Sequence, residues 1–239
     1  MNHYETFQHS SDMSLLVIEG LDGSGKSTQV QKLKNYFEDS RIAYRYMHFP
    51  RTEGNAFAGV IARFLRGDLG KLEQVNPYLI AMMYAGDRFD AKLQIESWLR
   101  HDRLILLDRY VYSNIAYQCA KVSDPKEKEQ LKHWIMDTEF GYFGMPRPDL
   151  NLFLDVPFAF TQKSLAQERT GKDRWYLLKK KDIHEENTTF QEEVREMYRT
   201  LASEPDFAMV DCSTDNHTMA SPEIIFEKII SALKDNGIV

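Results

Sequence analysis

Short apolar runs alternate with amphipathic stretches along most of the chain. Residues 15–18 and 104–107 have the length and composition of buried parallel strands. Residues 43–49, 150–156 and 207–210 predict three more strands. Because helices are predicted between the strands, the order indicates a parallel sheet with helices on both faces. The predicted helices cover residues 27–37, 56–65, 77–99, 112–121, 125–140, 158–168 and 193–201, with a last helix from residue 222.

The longest predicted helix, residues 77–99, begins with Asn76 as N-cap and Pro77 in its first turn. Tyr84 and Arg88 are four residues apart and share one face of it. This pair could stack on a planar base and hydrogen-bond to it, or be a half-buried tyrosine beside a snorkelling arginine. The predicted apolar stripe of the helix comprises Leu79, Met82, Met83, Gly86, Phe89 and Leu93.

A glycine-rich motif lies between the first strand and the first helix. Residues 20–27 read GLDGSGKS and fit G-x-x-x-x-G-K-[ST], the loop whose backbone N–H groups cradle phosphates at a helix N-terminus. Lys26 is expected to place its charge on the outer phosphates, and Ser27 offers a hydroxyl to Mg²⁺. The predicted phosphate-binding residues are Gly20, Leu21, Asp22, Gly23, Ser24, Gly25, Lys26, Ser27 and Thr28.

Other candidate site residues follow the predicted strands, where ligands bind in open α/β sheets. Asp108 ends an apolar strand and is expected to orient Mg²⁺ through water, beside Arg109 as a counter-charge for phosphate. Arg51 follows the second strand and could meet an anion or be a solvated surface arginine. Asn114 has an amide suited to reading a base. His184 is expected to be exposed, and the sequence has no His or Cys spacing typical of a metal site.

Composition bounds the remaining possibilities. The chain has 239 residues, a net charge of −6 and 43% hydrophobic residues, which favours a soluble globular protein and argues against a nucleic-acid partner. Residues 1–13 are polar and are expected to be a flexible extension of one domain at 14–239. No run reaches the length of a membrane helix, and Cys119 and Cys212 indicate no disulfide framework, so we expect a cytoplasmic protein.

The motifs together resemble those of the thymidylate kinase family. They are GLDGSGKST from Gly20, FPR from Phe49, YAGDR from Tyr84, DRYVYSNIAYQ from Asp108, MPRPD from Met145 and DIHE from Asp182. The resemblance implies a P-loop NTPase three-layer sandwich with a five-stranded parallel sheet and a short basic lid at about residues 169–185. It also implies phosphorylation of dTMP by ATP with Mg²⁺, in a homodimer.

The same resemblance assigns roles in acceptor binding. Arg51 and Arg109 would bind the monophosphate of dTMP, and Tyr84 would stack on thymine. Arg88 and Asn114 would hydrogen-bond the edge of the base. The remaining acceptor residues would be Phe49 of the FPR motif, Tyr117 against the ribose 2′ position and Glu185 near the acceptor.

The catalytic set implied by the resemblance is Lys26, Asp108, Arg109, Asp22 and lid cations. The motif has Gly23 where some family members have an arginine, so a basic residue of the lid is expected to contact the transferring phosphoryl group. The candidates are Arg169, Lys172 and Arg174.

Three other functions stay open at this stage. A kinase for another nucleotide or for a deoxynucleoside would share the fold, although a nucleoside acceptor has no phosphate for Arg51. A P-loop switch protein would need no second nucleotide pocket. A scaffold that has lost catalysis would not need its catalytic positions intact.

Overall fold

The computed structural model describes residues 14–51, 53–166, 177, 182–185, 187–215 and 217–239. In this part of the chain, five parallel strands form one sheet in the order β2-β3-β1-β4-β5. The predicted parallel five-stranded sheet is therefore confirmed. The strands are β1 (Ser14–Gly20), β2 (Tyr44–His48), β3 (Leu104–Asp108), β4 (Leu150–Asp155) and β5 (Phe207–Asp211).

Helices cover both faces of the sheet. The α-helices are α1 (Lys26–Asp39), α2 (Ala56–Leu65), α3 (Pro77–His101), α4 (Val111–Cys119), α5 (Pro125–Met136), α6 (Phe158–Ala166), α7 (Thr188–Thr200) and α8 (Pro222–Asp235). A six-residue π-helix, Asp137–Tyr142, follows α5 where the sequence predicted a continuous α-helix to residue 140.

The core has two apolar layers, which meet at the sheet. Leu15 and Val17 of β1 pack into the layer that includes α2, α3, α4, α5 and α7, whereas Leu16 and Ile18 pack into the layer of α1 and α8. Side chains of a strand point alternately to the two faces, so a fully apolar strand supplies both layers. The three-layer arrangement follows from this alternation.

The central strand carries the phosphate loop at its carboxyl end. Ile18 of β1 is in register with Asp108 of β3, and Asp108 in turn with His48 of β2. After β1 the chain forms β2 and β3 on one side of β1, and it then forms β4 and β5 on the other side of β1. The carboxyl ends beside β1 are therefore the topological switch point, where open α/β sheets bind ligands.

The apolar stripe predicted for α3 is wrong in part. Leu79, Phe89 and Leu93 are exposed, and the buried side of the helix instead includes Ile80, Ala81, Ala85, Ala91, Ile95 and Leu99 together with Asp87 and Arg88. The hydrophobic pattern gave the wrong buried face because α3 turns the charged residues Asp87 and Arg88, rather than Leu79 and Leu93, toward the protein interior. The predicted caps are confirmed, since Asn76 accepts a hydrogen bond from the Tyr78 N–H with Pro77 in the first turn.

Candidate functional site

A nine-residue phosphate loop, residues 20–28, joins β1 to α1. Gly23 and Gly25 have φ of 75° and 79°, a left-handed conformation that glycine adopts without strain. A Cβ at Gly20 would lie 2.9 Å from the Ser24 hydroxyl oxygen, so any other residue there would push the Ser24 side chain aside. Gly25 caps α1 without a side-chain hydrogen bond, which leaves the positive end of the helix facing the cavity.

Lys26 and Asp108 form a buried ion pair at this loop. His48 Nδ1 lies 3.2 Å from Asp108 Oδ2, and the Tyr46 hydroxyl lies 3.5 Å from the same oxygen. Burial alone would raise the pKa of Asp108, but Lys26 and then His48 outweigh it and hold that pKa well below its ordinary range. Burial lowers the pKa of Lys26 although Asp108 opposes the shift. Asp108 therefore remains a carboxylate.

Arg109 and Tyr117 meet at Asp22. Arg109 Nη2 donates to Asp22 Oδ1 at 2.7 Å, and the Tyr117 hydroxyl donates to Oδ2 at 2.8 Å. Gln191 Nε2 of α7 adds a contact of 3.2 Å to Oδ2. Burial alone would lower the pKa of Arg109, but Tyr117 and Asp22 raise it well above its ordinary value. Arg109 thus stays cationic inside the cavity.

The two predicted base readers are joined by a residue that sequence reasoning did not find. Glu139 accepts from Arg88 Nε and, at 2.6 Å, from Arg88 Nη2. Asn114 Nδ2 donates to Glu139 Oε1 at 2.9 Å and to the Ala81 carbonyl oxygen at 3.0 Å. All three side chains are almost fully buried, so this polar cluster is shielded from bulk water. Arg88 and Asn114 line the main cavity together with Tyr84.

The FPR segment divides between the cavity and a neighbouring ion-pair cluster. Phe49 is buried and lines the cavity. The Arg51 guanidinium is held by Asp87 and Asp90, with Nε 2.9 Å from Asp87 Oδ1 and Nη2 2.6 Å from Asp90 Oδ2. Its side chain is not among those that line the cavity in the described part of the chain.

The DIHE segment also reaches the cavity, since Asp182, His184 and Glu185 line it. The predicted exposure of His184 is wrong, because its ring packs between Phe190 and Tyr117 with centroid distances of 5.3 and 5.1 Å. Burial first, and Lys121 second, lower the pKa of His184 well below its ordinary value. The predicted lid cations Arg169, Lys172 and Arg174 lie outside the described residues.

One cavity of about 440 Å³ brings most of these groups together. Its walls include both the phosphate loop and Tyr84, Arg88 and Asn114. A smaller cavity of about 150 Å³ shares Ser24, Gly25, Thr28 and Phe160 with it and is otherwise mainly apolar. The two cavities therefore adjoin at the phosphate loop and together offer space for two ligands.

Several supporting residues escaped the sequence analysis. Glu139, Gln191 and Asp87 each contact a predicted site residue from a distant part of the chain. Glu19 of β1 accepts hydrogen bonds from the backbone of Tyr110 and Ser113 and so fixes the start of α4. Of these residues, only Asp87 lies in one of the family motifs, YAGDR, so only Asp87 could have been suspected from the sequence.

Two further properties concern the described residues alone. None of the helices there is long and apolar enough to cross a membrane. Both cysteines are buried and free.

Comparison with known proteins gives consistent matches. A sequence model of the thymidylate kinase family matches residues 18–221. The chain is 31% identical to the thymidylate kinase of Mycobacterium tuberculosis over 191 residues, which cover 80% of this chain and 86% of that protein. It is 30% identical over 210 residues to the probable thymidylate kinase 1 of Saccharolobus solfataricus, with 88% and 94% covered.

A solved structure supports the same fold. The thymidylate kinase of Candida albicans aligns with a TM-score of 0.67 at 23% identity, over 96% of this chain and 94% of that one. The family match spans both the phosphate loop and the other cavity residues Tyr84, Arg88 and Asn114. The chain therefore belongs to the thymidylate kinase family, the enzymes that phosphorylate dTMP to dTDP.

Proposed function

We propose that this enzyme transfers the γ-phosphoryl group of ATP to dTMP in line, with Mg²⁺ bound between the phosphate loop and Asp108. The observation that carries this proposal is that one cavity is lined by Lys26 and the phosphate loop as well as by Arg109, Arg88 and Asn114. A cavity that combines a phosphate cradle with base-reading groups suits two nucleotides placed end to end.

The loop fits a polyphosphate. Donors for an anion are available from the backbone of its left-handed glycines and from the N-terminus of α1, which has no side-chain cap. The buried Ser24 hydroxyl, which has no hydrogen-bond partner among the described residues, adds another. The smaller cavity, lined by Phe160, Cys212 and Met219 among others, suits the flat apolar ring of a purine beyond the phosphates. ATP is therefore the proposed donor.

The residues also fit Mg²⁺, which prefers oxygen ligands and usually keeps several waters. The Ser27 hydroxyl would bind the ion directly, and Asp108 would orient its waters. When bound, Mg²⁺ would neutralise charge on the donor phosphates.

The chain's own residues supply positioning and charge. An oxygen of the acceptor phosphate is already ionised, so no general base is needed for it to bond to the γ-phosphorus as the bond to the β-phosphate oxygen breaks. Lys26 would exchange its carboxylate partner for the donor phosphates. Arg109, held by Asp22, would face the charge that develops between the two nucleotides, with Arg169 or Arg174 completing the cationic shell.

Reading of the acceptor follows from the buried cluster. Tyr84 would stack on thymine, and Arg88 and Asn114 would bind its edge. Tyr117, fixed through its hydroxyl to Asp22, would crowd the ribose 2′ position and favour a deoxynucleotide. Arg51 would bind the acceptor phosphate after leaving Asp87 and Asp90, and Glu185 would lie near the acceptor.

The remaining features of the proposal concern the whole molecule. We infer one kinase domain at residues 14–239, acting in the cytoplasm on nucleotides. Leu79, Phe89 and Leu93 of α3 leave an apolar stripe exposed, and the proposed occupant is the same stripe of a second copy. Burial of this stripe would form the homodimer.

An acceptor panel tests the proposed reaction. ADP release from ATP would be measured with and without Mg²⁺ against dTMP, dUMP, dCMP, UMP, AMP and thymidine. Mg²⁺-dependent turnover with strong preference for dTMP is the expected result. Activity with thymidine but not dTMP would move the acceptor assignment to a nucleoside, and donor use independent of Mg²⁺ would remove the metal from the proposal.

A further inference from the structure

A single carboxylate fixes both proposed base readers. Glu139 is fully buried, and its two oxygens accept from Arg88 Nε and Nη2 and from Asn114 Nδ2. Arg88 comes from α3, Asn114 from α4 and Glu139 from the π-helix, so three elements converge on one carboxylate. Motion of either reader would break a bond to Glu139.

The π-helix explains how Glu139 reaches this position. In the segment Asp137–Tyr142, Thr138 and Glu139 are buried while Gly141 and Tyr142 are exposed. The wider turn directs Glu139 inward, and Met145 N–H closes the segment by donating to the Glu139 carbonyl oxygen at 2.9 Å. Single π-turns inside helices are frequent at functional sites.

The bonds of Asn114 also fix which end of its amide is offered to a ligand. Its nitrogen faces the Ala81 carbonyl and the Glu139 carboxylate, and both of these groups can only accept. The amide oxygen must therefore point the other way. This oxygen is buried and has no hydrogen-bond partner within the described residues, so it is available to accept a donor from the ligand.

Thymine and cytosine differ in this respect. At positions 3 and 4 thymine presents an N–H donor and a carbonyl acceptor, whereas cytosine presents a ring-nitrogen acceptor and an amino donor. An acceptor at Asn114 beside a donor at Arg88 complements thymine. With cytosine, the Asn114 oxygen would face the ring nitrogen, so two acceptors would oppose each other. The Arg88 donor would face the amino group, so two donors would also oppose each other, and buried polar groups would be left without hydrogen bonds.

We propose that Glu139 is the positioning residue that sets base specificity, because it holds Arg88 as the donor and Asn114 as the acceptor in fixed register. The inference rests on the proposed roles of Arg88 and Asn114 as base readers. Glu139 acts through these side chains and touches no substrate itself.

The test compares Glu139→Gln with the unchanged enzyme. We expect KM for dTMP to rise about tenfold and the ratio of kcat/KM for dTMP over dCMP to fall about tenfold or more, which is the size of effect that one buried group left without a hydrogen-bond partner produces. KM for ATP and the affinity for 2-deoxyribose 5-phosphate, which lacks a base, should stay unchanged. The ratio does not depend on the fraction of enzyme that is folded.

A matched control separates specificity from stability. Asp155→Asn removes a carboxylate that pairs with Arg195 and Arg199 and is not among the residues that line the cavity, and it should leave the dTMP to dCMP ratio unchanged. If Glu139→Gln does not fold, Glu139→Asp retains the charge but is one methylene too short to hold both readers, and the ratio should again fall.

Two results would overturn the inference. Equal loss of affinity for dTMP, 2-deoxyribose 5-phosphate and ATP would show that Glu139 only supports the fold. An unchanged ratio in folded Glu139 variants would remove its role while leaving the base readers in place. Failure of the unchanged enzyme to prefer dTMP over dCMP would instead refute the proposed base reading itself.

Discussion

The Lys26 ammonium group is paired with the Asp108 carboxylate, so the phosphate loop is tied to the end of β3. The cation proposed for the donor phosphates and the carboxylate proposed for the metal waters thus neutralise each other inside the protein. When ATP binds, Lys26 would pair with the donor phosphates and Asp108 with the waters of Mg²⁺, while His48 would remain beside Asp108.

Removal of the Lys26 charge should abolish most turnover. Lys26→Ala is expected to lower kcat for dTMP on the order of 10³-fold, because a positioned cation stabilises the charge that develops in phosphoryl transfer. Steady-state kinetics at saturating nucleotides would measure the change, with dTMP affinity as the control for intact folding. Near-normal kcat would contradict the assignment.

The buried pair should also make folding stability depend on acid. The pKa of Asp108 is depressed in the folded state, so below about pH 4, near the ordinary value for aspartate, the unfolded chain binds more protons and folding is weakened. The contribution is complete above that pH and declines as the pH falls. The free energy of unfolding would be measured with urea between about pH 3 and pH 6. It should change less with pH in Asp108→Asn than in the unchanged enzyme, and an identical pH dependence would exclude Asp108 as the source.

Arg51 should matter for acceptor binding despite its present ion pairs. Arg51→Ala is expected to raise KM for dTMP about tenfold or more, because a charge-assisted contact to the acceptor phosphate is lost. Asp90→Asn, which loosens Arg51 without removing it, should change KM much less. Lower melting temperature with unaltered KM in Arg51→Ala would restrict Arg51 to a structural role with Asp87.

The exposed stripe of α3 should hold the proposed dimer together. Leu93→Glu places a charge at a side chain that is 78% exposed in the single chain, and desolvation of that charge would oppose association. Analytical ultracentrifugation should show a shift from dimer to monomer. Ile224→Glu on α8, at another exposed apolar position, is the control. A wild-type enzyme that sediments as a monomer would remove the dimer from the proposal.

Close packing of α2 on α3 depends on Gly86. A Cβ at this position would lie 2.3 Å from the Phe57 ring, so Gly86→Ala forces the aromatic ring or the helix to move. Overpacking of this kind costs about 1–3 kcal/mol. Denaturant unfolding should show the loss, and Gly59→Ala, where a Cβ meets no atom within 4 Å, should not.

Local sequence patterns determined the sheet, most helices and the phosphate loop. Apolar runs such as that of β1 can be buried only as central strands, and the positive-φ glycines of the loop follow a spacing that the anion itself requires. Asp108 and Arg109 were also predictable, because residues that follow a parallel strand reach the ligand edge wherever the helices lie.

Long-range packing decided the rest. Glu139 meets Asn114 across 25 residues and Gln191 meets Asp22 across 169, and no periodicity reports such contacts. The face of α3 was misjudged because hydrophobicity assigns its leucines inward, whereas burial of Asp87 and Arg88 beside their partners outweighs it. His184 was misjudged likewise, since a polar residue in a segment that also holds Asp182 and Glu185 is buried here by three aromatic rings that only the fold brings together.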